Sequence, residues 1–239
     1  MGDLLPKTRD ALLRVGTSTL TGVLNRRGLR SMFMQDVWPI RPDMARMVGI
    51  AFTMRFIPSR EDKDGPGAPG RGTIQSQAME TCPPGHVLVV DSRGDARAAS
   101  AGDLYVGRLK ARGCAGIVTD GGLRDTEGVA KTGLVAYHRR ASSPPSGIVH
   151  QPVDIGLPIA CGGVAVYPGD IIVGDCDGVV VIPPDIAAAL AEECLATTLY
   201  DEFAEEEVAK GRSLIGLFPT ANDDAKRDFA AWKKARAIE

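Results

Sequence analysis

The sequence predicts an α/β fold in which a mixed β-sandwich carries a helical extension at the C-terminal end. Three observations lead there. Short apolar runs separated by Gly/Pro turns crowd the stretch from Leu134 to Ile182, as several short strands do. The centre of the chain alternates strand and helix in a βαβ-like order. After Pro184 the period becomes helical and stays so for about 26 residues, with no glycine before Gly211.

Taken in order, Thr8 to Leu29 places Leu12, Leu13, Val15, Leu20, Val23 and Leu24 at helical spacing, and Thr17, Ser18 and Thr19 allow a second start inside it. A strand follows at Met47 to Ile57. Ser59 to Gly72 is charged, rich in Gly and Pro and without periodicity, and reads as a mobile loop, either a solvated insertion or a lid. Thr73 to Thr81 is a short helix, and HVLVVD (His86 to Asp91) is an apolar strand of the buried, parallel type. Asp103 to Arg112 is helical, ends at Gly113 and leads into the strand CAGIVTD; a short helix follows Arg124. Leu134 to Tyr137, Ile148 to Val153, Ile159 to Val166, Ile171 to Asp175 and Gly178 to Ile182 complete the strands. Pro184 and Asp185 suit the first turn of the long helix, and Pro219 to Glu239 contains a second amphipathic helix. Residues 1–210 are expected to form one domain and 211–239 a helical tail.

Composition narrows the function. With 239 residues, 28 basic and 30 acidic, the net charge is −2 and offers no field for a polyanion, so nucleic acid is not the expected partner. The five cysteines, Cys82, Cys114, Cys161, Cys176 and Cys194, are widely spaced without a CxxC pair, which suits reduced thiols in the cytoplasm. The longest uncharged apolar stretch, Ile155 to Gly169, is interrupted by Pro and Gly and is too short for a span of roughly 20 residues; no membrane role and no secretory signal are expected. Basic residues dominate the first 60 positions, whereas Asp185 to Glu207 is acidic without a basic residue. This split is expected at a subunit interface. Glu205, Glu206 and Glu207 oppose the helix dipole there, and either meet basic groups or are solvated.

Two turns concentrate chemistry. At GDLY, Gly102 gives close access to the backbone, and the free amides of Leu104 and Tyr105 open a helix where a carboxylate or phosphate can sit. The plain alternative is that Asp103 only caps that helix. At TDGGLRD, Gly121 and Gly122 let the chain reverse, and Arg124 and Asp125 emerge at the next helix start. Arg124 offers a planar fork for a carboxylate. Asp125 is a hard oxygen ligand of the kind that holds Mg²⁺ or Mn²⁺ with waters and substrate oxygens. His86, His138 and His150 are far apart and show no zinc spacing. DCDG (Asp175 to Gly178) reads as a turn whose carboxylates accept its own amides.

These residues resemble a known family. Asp103, twenty intervening residues and Arg124-Asp125 form the D-x20-R-D signature of class II pyruvate aldolases of the 4-hydroxy-4-methyl-2-oxoglutarate aldolase type, which share a fold with regulators of ribonuclease E activity. RMVGIAFTMRF, GDLYVGRLKARGCAGIVTDGGLRD and GGVAVYPGDIIVGDCDGVVVIP extend the resemblance over most of residues 8–210. It implies a swivelling β/β/α sandwich and a homotrimer or hexamer with sites between subunits. By position it implies that Asp125 holds the metal mostly through water. Arg124 binds the pyruvyl carboxylate or keto oxygen, the Leu104 and Tyr105 amides bind the carboxylate, and Asp103 orients Arg124 and metal-bound water. Relatives of this type carry an acidic REEKE-like stretch after the last strand that reaches a neighbouring site; here its nearest equivalent is TTLYDE, with Asp201 or Glu202 as the carboxylate. Some members are labelled demethylmenaquinone methyltransferases, but no glycine loop for S-adenosylmethionine is present.

The expectation is therefore an Mg- or Mn-dependent aldolase that cleaves a 4-hydroxy-2-oxo acid to pyruvate and a second carbonyl compound, with oxaloacetate decarboxylase side activity. In it a metal-bound water, oriented by Asp125 and Asp103, takes the C4 hydroxyl proton. Two alternatives stand beside it: a non-catalytic regulator that binds a ribonuclease, and a decarboxylase or dehydratase of sugar-derived 2-oxo acids built on the same site.

Overall fold

The computed structural model describes residues 4–64 and 73–238. Its strands are β1 (Trp38–Pro39), β2 (Met47–Pro58), β3 (His86–Asp91), β4 (Ala99–Ala101), β5 (Gly116–Thr119), β6 (Gly122–Leu123), β7 (Val135–His138), β8 (Arg140–Ala141), β9 (His150–Ile155), β10 (Ile159–Cys161), β11 (Val164–Val166), β12 (Ile171–Asp175) and β13 (Gly178–Ile182). The helices are α1 (Pro6–Arg14), α2 (Thr17–Arg26), α3 (Glu61–Asp64), α4 (Thr73–Thr81), α5 (Asp103–Ala111), α6 (Thr126–Lys131), α7 (Ala187–Ala209) and α8 (Asp223–Ala235).

The predicted mixed α/β class holds. An eight-stranded sheet runs in the order β1-β7-β5-β3-β2-β12-β13, with β9 on the far half of β2. Strands β2, β3, β5 and β7 are parallel, and β12 and β13 antiparallel. The two ends curl toward each other. The segment before β1 bridges them: Met34 N–H donates to Val179 O (2.9 Å) and Val181 N–H to Met32 O (2.8 Å), so the sheet is a nearly closed barrel. Each central strand is therefore buried on both faces, which explains its unbroken Val/Ile content. Val87, Val89, Val179 and Val181 point into the barrel beside Tyr137 and Ile172. Leu88 and Val90 point outward under α4, α5 and α6, and Val180 and Ile182 outward under α1, α2 and α7.

Several boundaries differ from the sequence reading for identifiable reasons. The helix expected over Thr8 to Leu29 starts afresh at Thr17, because the buried Asp175 carboxylate accepts from Thr17 N–H and Thr17 Oγ1 (2.8 Å each) at the start of α2. Asp175 also accepts from Asp177 N–H (3.0 Å), as expected of the DCDG turn. The single strand expected over Ile159 to Val166 is a hairpin, β10 and β11, turned by Gly162 and Gly163 at φ +56° and +76°. The long helix begins with one 3₁₀ turn, Pro184–Ile186, before α7. Of the expected loop Ser59 to Gly72, Glu61–Asp64 form the short α3; residues 65–72 lie outside the described residues.

The charge split meets within this one subunit. Lys7 pairs with Glu192 (3.3 Å), and Arg27 with Glu193 (2.7 Å), joining α1 and α2 to α7. Such exposed pairs contribute little to stability. At the other end of α7, Glu206 pairs with Arg236 and accepts from Trp232 Nε1 (2.9 Å), while Glu207 pairs with Lys210 and Arg212. Both glutamates thus have partners despite the dipole. Tyr200 and Phe203 of α7 pack with Phe229 and Trp232 of α8, a satellite core away from the barrel. Among the described residues no helix is long and apolar enough to cross a membrane.

Asp175 links strand, turn and helix start across 158 positions of sequence. Asp175→Ala leaves the buried Thr17 hydroxyl and amide and the Asp177 amide without their acceptor, and is expected to cost about 2 kcal/mol. A lowered urea midpoint at unchanged m-value checks this.

Candidate active site

Strands β4, β6 and β8 form a small parallel sheet beside the barrel, with Ala99 opposite Gly122 and Ala101 opposite Leu123. Beneath it Ser92, Ser100 and Thr119 share a buried hydroxyl cluster with oxygens 2.7 to 3.1 Å apart. A side chain at Gly121 would drive a Cβ to 2.6 Å from Ser100 Oγ, and one at Gly122 to 2.5 Å from Ser142 Cβ. Both glycines therefore serve close approach. Neither takes a positive φ, and the chain bends at Asp120 and Gly121 between β5 and β6.

The small sheet sets the starts of α5 and α6 side by side. Gly102 is extended and precedes α5; the first amide to find its carbonyl four residues back is that of Val106 (3.1 Å), which leaves earlier amides at the helix start. Leu104 N–H is engaged by Asp103 Oδ1 (2.8 Å). The Asp103 carboxylate also lies against Gly128 in the first turn of α6, where a Cβ would come within 2.7 Å of its Oδ2. On the neighbouring turn, Arg124 N–H donates to Ala101 O (3.0 Å). Arg124 Nε meets Asp125 Oδ2 at 3.1 Å, with both side chains nearly half exposed. The partner that orients Arg124 is thus Asp125, and Asp103 faces α6. Asp125 sits in the left-handed region (φ 51°, ψ 40°), uncommon for any residue but glycine and most readily taken by Asn and Asp. Strain of this kind accumulates where a side chain is held for function.

A cleft of about 530 Å³ opens over these turns. Gly102, Asp103, Leu104, Tyr105 and Arg124 form one wall, so five of the sequence-selected residues meet on one surface; Asp125 stands beside Arg124 at its edge. Asp201 and Glu202 lie on α7 and do not line this cleft. Leu104 is 86% exposed at the mouth.

A family model described as RraA-like, Aldolase/RraA, matches residues 11–181. The chain belongs to the RraA-like family. Over 145 residues this RraA-like protein is 37% identical to a Halalkalibacterium halodurans protein named provisionally as a 4-hydroxy-4-methyl-2-oxoglutarate aldolase, covering 59% of this chain and 67% of that one. An Ectopseudomonas mendocina protein of the same name is 35% identical over 99 residues, 41% of this chain and 60% of its own. The chain thus spans about three-fifths to two-thirds of these curated relatives. Among solved structures, Streptomyces coelicolor RraAS2, described as an unusual member of the RNase ES inhibitor RraA protein family, superposes with a TM-score of 0.77 at 29% identity, covering 86% of this chain and 98% of that one. An uncharacterized Pseudomonas syringae protein gives 0.77 at 22% identity over 91% and 99%, a likeness of fold.

The opposite wall of the cleft was not legible as a site. It is formed by Gln75, Ser146, His150 and Gln151. Gln75 is buried on the face of α4 that carries Ala78 and Met79, and that polar residue on an apolar stripe is the one signal the sequence offered. His150 is fully buried, stacks on Phe56 and accepts at Nδ1 from Arg93 (3.1 Å). Burial, then the Arg93 charge, holds its pKa below the ordinary histidine value, against the pull of Asp95 and nearby carbonyls.

Gly102 is where the two walls of helix starts close together: a Cβ there would lie 2.8 Å from Asp125 Oδ2 and 3.0 Å from Arg124 Nε. Those are ends of flexible side chains. Gly102→Ala is therefore expected to fold, with a melting point within a few degrees of the parent, roughly the scale of 1 kcal/mol or less.

Proposed function

We propose that this RraA-like protein is a divalent-metal-dependent carbon–carbon lyase that cleaves a 4-hydroxy-2-oxo acid to pyruvate and a second carbonyl compound. One observation carries the reading: the start of α5 with Asp103, and Arg124, line a single cleft, and the Asp125 carboxylate stands against Arg124 at its edge. The names of the aldolase relatives support it.

The donor set fits a hard cation. Asp125 offers a half-exposed carboxylate held by its own backbone strain, Asp103 stands on the adjoining turn, and Mg²⁺ or Mn²⁺ needs only one or two carboxylates besides water and substrate oxygens. The only group of three candidate ligands found among the described residues, Asp175, Cys176 and Asp177, does not compete: the Asp175 oxygens already accept from Thr17 and Asp177. Bound at Asp125, the cation would supply Lewis-acid withdrawal from the 2-oxo group.

The protein's own groups would do the remaining work. The Arg124 fork and the amides at the start of α5 bind the substrate carboxylate and fix the 2-oxo group in plane with it. Asp103, a residue of the cleft wall at the start of α5, would receive the C4 hydroxyl proton. The C3–C4 bond then breaks, C4 becomes a carbonyl carbon, and the electron pair is delocalised toward the 2-oxo oxygen near Arg124 until a proton returns to C3 as pyruvate forms. The same charge pattern develops when oxaloacetate loses CO₂, so that decarboxylation belongs to the proposal. The exposed Leu104 at the mouth favours a site completed in a trimer or hexamer, with Asp201 or Glu202 of one subunit reaching the next.

The RraAS2 relationship favours one rival, a protein-binding regulator of a ribonuclease. A pull-down with ribonuclease activity measured in the same preparation separates the two. Under the lyase reading, protein with Mg²⁺ or Mn²⁺ releases pyruvate from 4-hydroxy-2-oxo acids and oxaloacetate, a chelator stops it, and re-added metal restores it. Asp125→Ala is expected to lower the rate by at least about a hundredfold, the scale of losing a Lewis acid. A rate indifferent to chelator would overturn the metal assignment.

A further inference from the structure

The wall opposite Arg124 differs in chemistry from the wall that holds the carboxylate. Among the described residues lining the cleft, Arg124 is the only Lys or Arg, and Asp103 adds a negative charge. The far wall presents neutral hydrogen-bonding groups. Gln75, 4% exposed, is fixed by donating from Nε2 to Ser100 O (2.5 Å) and accepting from Ser146 Oγ at Oε1 (3.3 Å). His150 is held as the Nε2–H tautomer, because Arg93 donates to its Nδ1, and Nε2 has no hydrogen-bond partner. The Ala98 and Asp95 carbonyls lie near the ring, and a ligand oxygen in the cleft would give this N–H an acceptor. Arg93 stands behind the imidazole, engaged by His150 and by Val149 O (3.3 Å), and is not on the cleft wall. Its turn is itself anchored, since the Asp120 carboxylate accepts from Ser92 N–H (2.7 Å) and Gly94 N–H (2.9 Å).

A second carboxylate on the substrate would be desolvated here without a cation to meet it, facing neutral donors and Asp103. Hydroxyl groups, which both donate and accept, match a fixed amide, a serine and an N–H imidazole. Resting on the lyase reading of the same cleft, we propose that the distal half of the substrate is uncharged and hydroxylated. The preferred substrate class is then a 3-deoxy-2-oxo sugar acid of five or six carbons, cleaved to pyruvate and a hydroxyaldehyde, with Gln75, Ser146 and His150 reading its distal hydroxyls. This differs from the dicarboxylate in the names of the aldolase relatives.

The test compares kcat/KM for pyruvate release, with Mg²⁺, from two 3-deoxy-2-oxo sugar acids and from 4-hydroxy-4-methyl-2-oxoglutarate and 4-hydroxy-2-oxoglutarate. A preference of about tenfold or more for the hydroxylated monocarboxylates is expected, the scale on which sites built for hydroxyls discriminate. Equal or better turnover of the dicarboxylates overturns this inference and leaves the lyase reading standing; pyruvate release from none of the four overturns both. Gln75→Leu and His150→Phe are expected to reduce kcat/KM for the sugar acid about tenfold more than for oxaloacetate, which has no distal hydroxyl. Gln151→Arg, at a partly exposed position on the same wall, is expected to swing the ratio toward the dicarboxylates by about tenfold. Ratios unmoved by all three variants would assign the selectivity elsewhere and overturn the roles given to this wall.

Discussion

The pairing of β4 with β6 is the constraint on which the site depends. Two very short strands, paired at Ala99–Gly122 and Ala101–Leu123 with an irregularity between, hold the starts of two helices next to each other. Arg124 N–H on Ala101 O prolongs the pairing to the last residue before the αL turn at Asp125. Strands this short have too few backbone bonds to stand alone. The hydroxyl cluster of Ser92, Ser100 and Thr119 ties them to β3 and β5, whose burial in the barrel supplies the rigidity. The barrel thus acts as a frame, and the hydroxyl cluster as the link that transmits its geometry to the cleft.

That arrangement also settles the charge at the cleft. Two helix starts bring partial positive charge, Arg124 adds a full one, and Asp103 and Asp125 offset it. Because Asp125 pairs with Arg124 at 3.1 Å with both side chains nearly half exposed, the pair is weak enough to be exchanged for a ligand. A buried, fully satisfied pair would resist that exchange. Tight packing at Gly102, Gly121, Gly122 and Gly128 is what permits the turns to approach without burying the charges.

The sequence was most legible where information is local. Valine-rich runs marked β3, β5, β12 and β13 because burial on both faces leaves no alternation to hide them. The D-x20-R-D spacing picked out residues that share one cleft wall because all of it lies within 25 residues of chain. What escaped depends on distant partners. Thr17 to Thr19 marked the second helix start, but its acceptor, Asp175, lies 158 residues away, and the fates of Glu206 and Glu207 follow from Trp232, Arg236 and Arg212. The paired glycines at 162 and 163 were counted as a strand interior although their left-handed angles make a hairpin. Gln75 and His150 were invisible as site residues because their roles arise only when α4 and β9 are folded onto β4.

The two walls therefore differ in how they are coupled to the fold. The wall with Arg124 is tied to the barrel through β4, β6 and the hydroxyl cluster. The distal wall is carried by α4 and by β9, which pairs with Met54 to Pro58 of β2 across an irregularity between Arg55 and Phe56. Substitutions on β9 can alter charge and hydrogen bonding in the cleft while leaving the β4–β6 register intact. The two walls are thus mechanically separable in this fold. A relative can share the first, and the family signature that goes with it, while differing in the second. For that reason the chemistry of the distal wall in this chain, rather than the family's shared motif, is the physical ground for assigning its substrate.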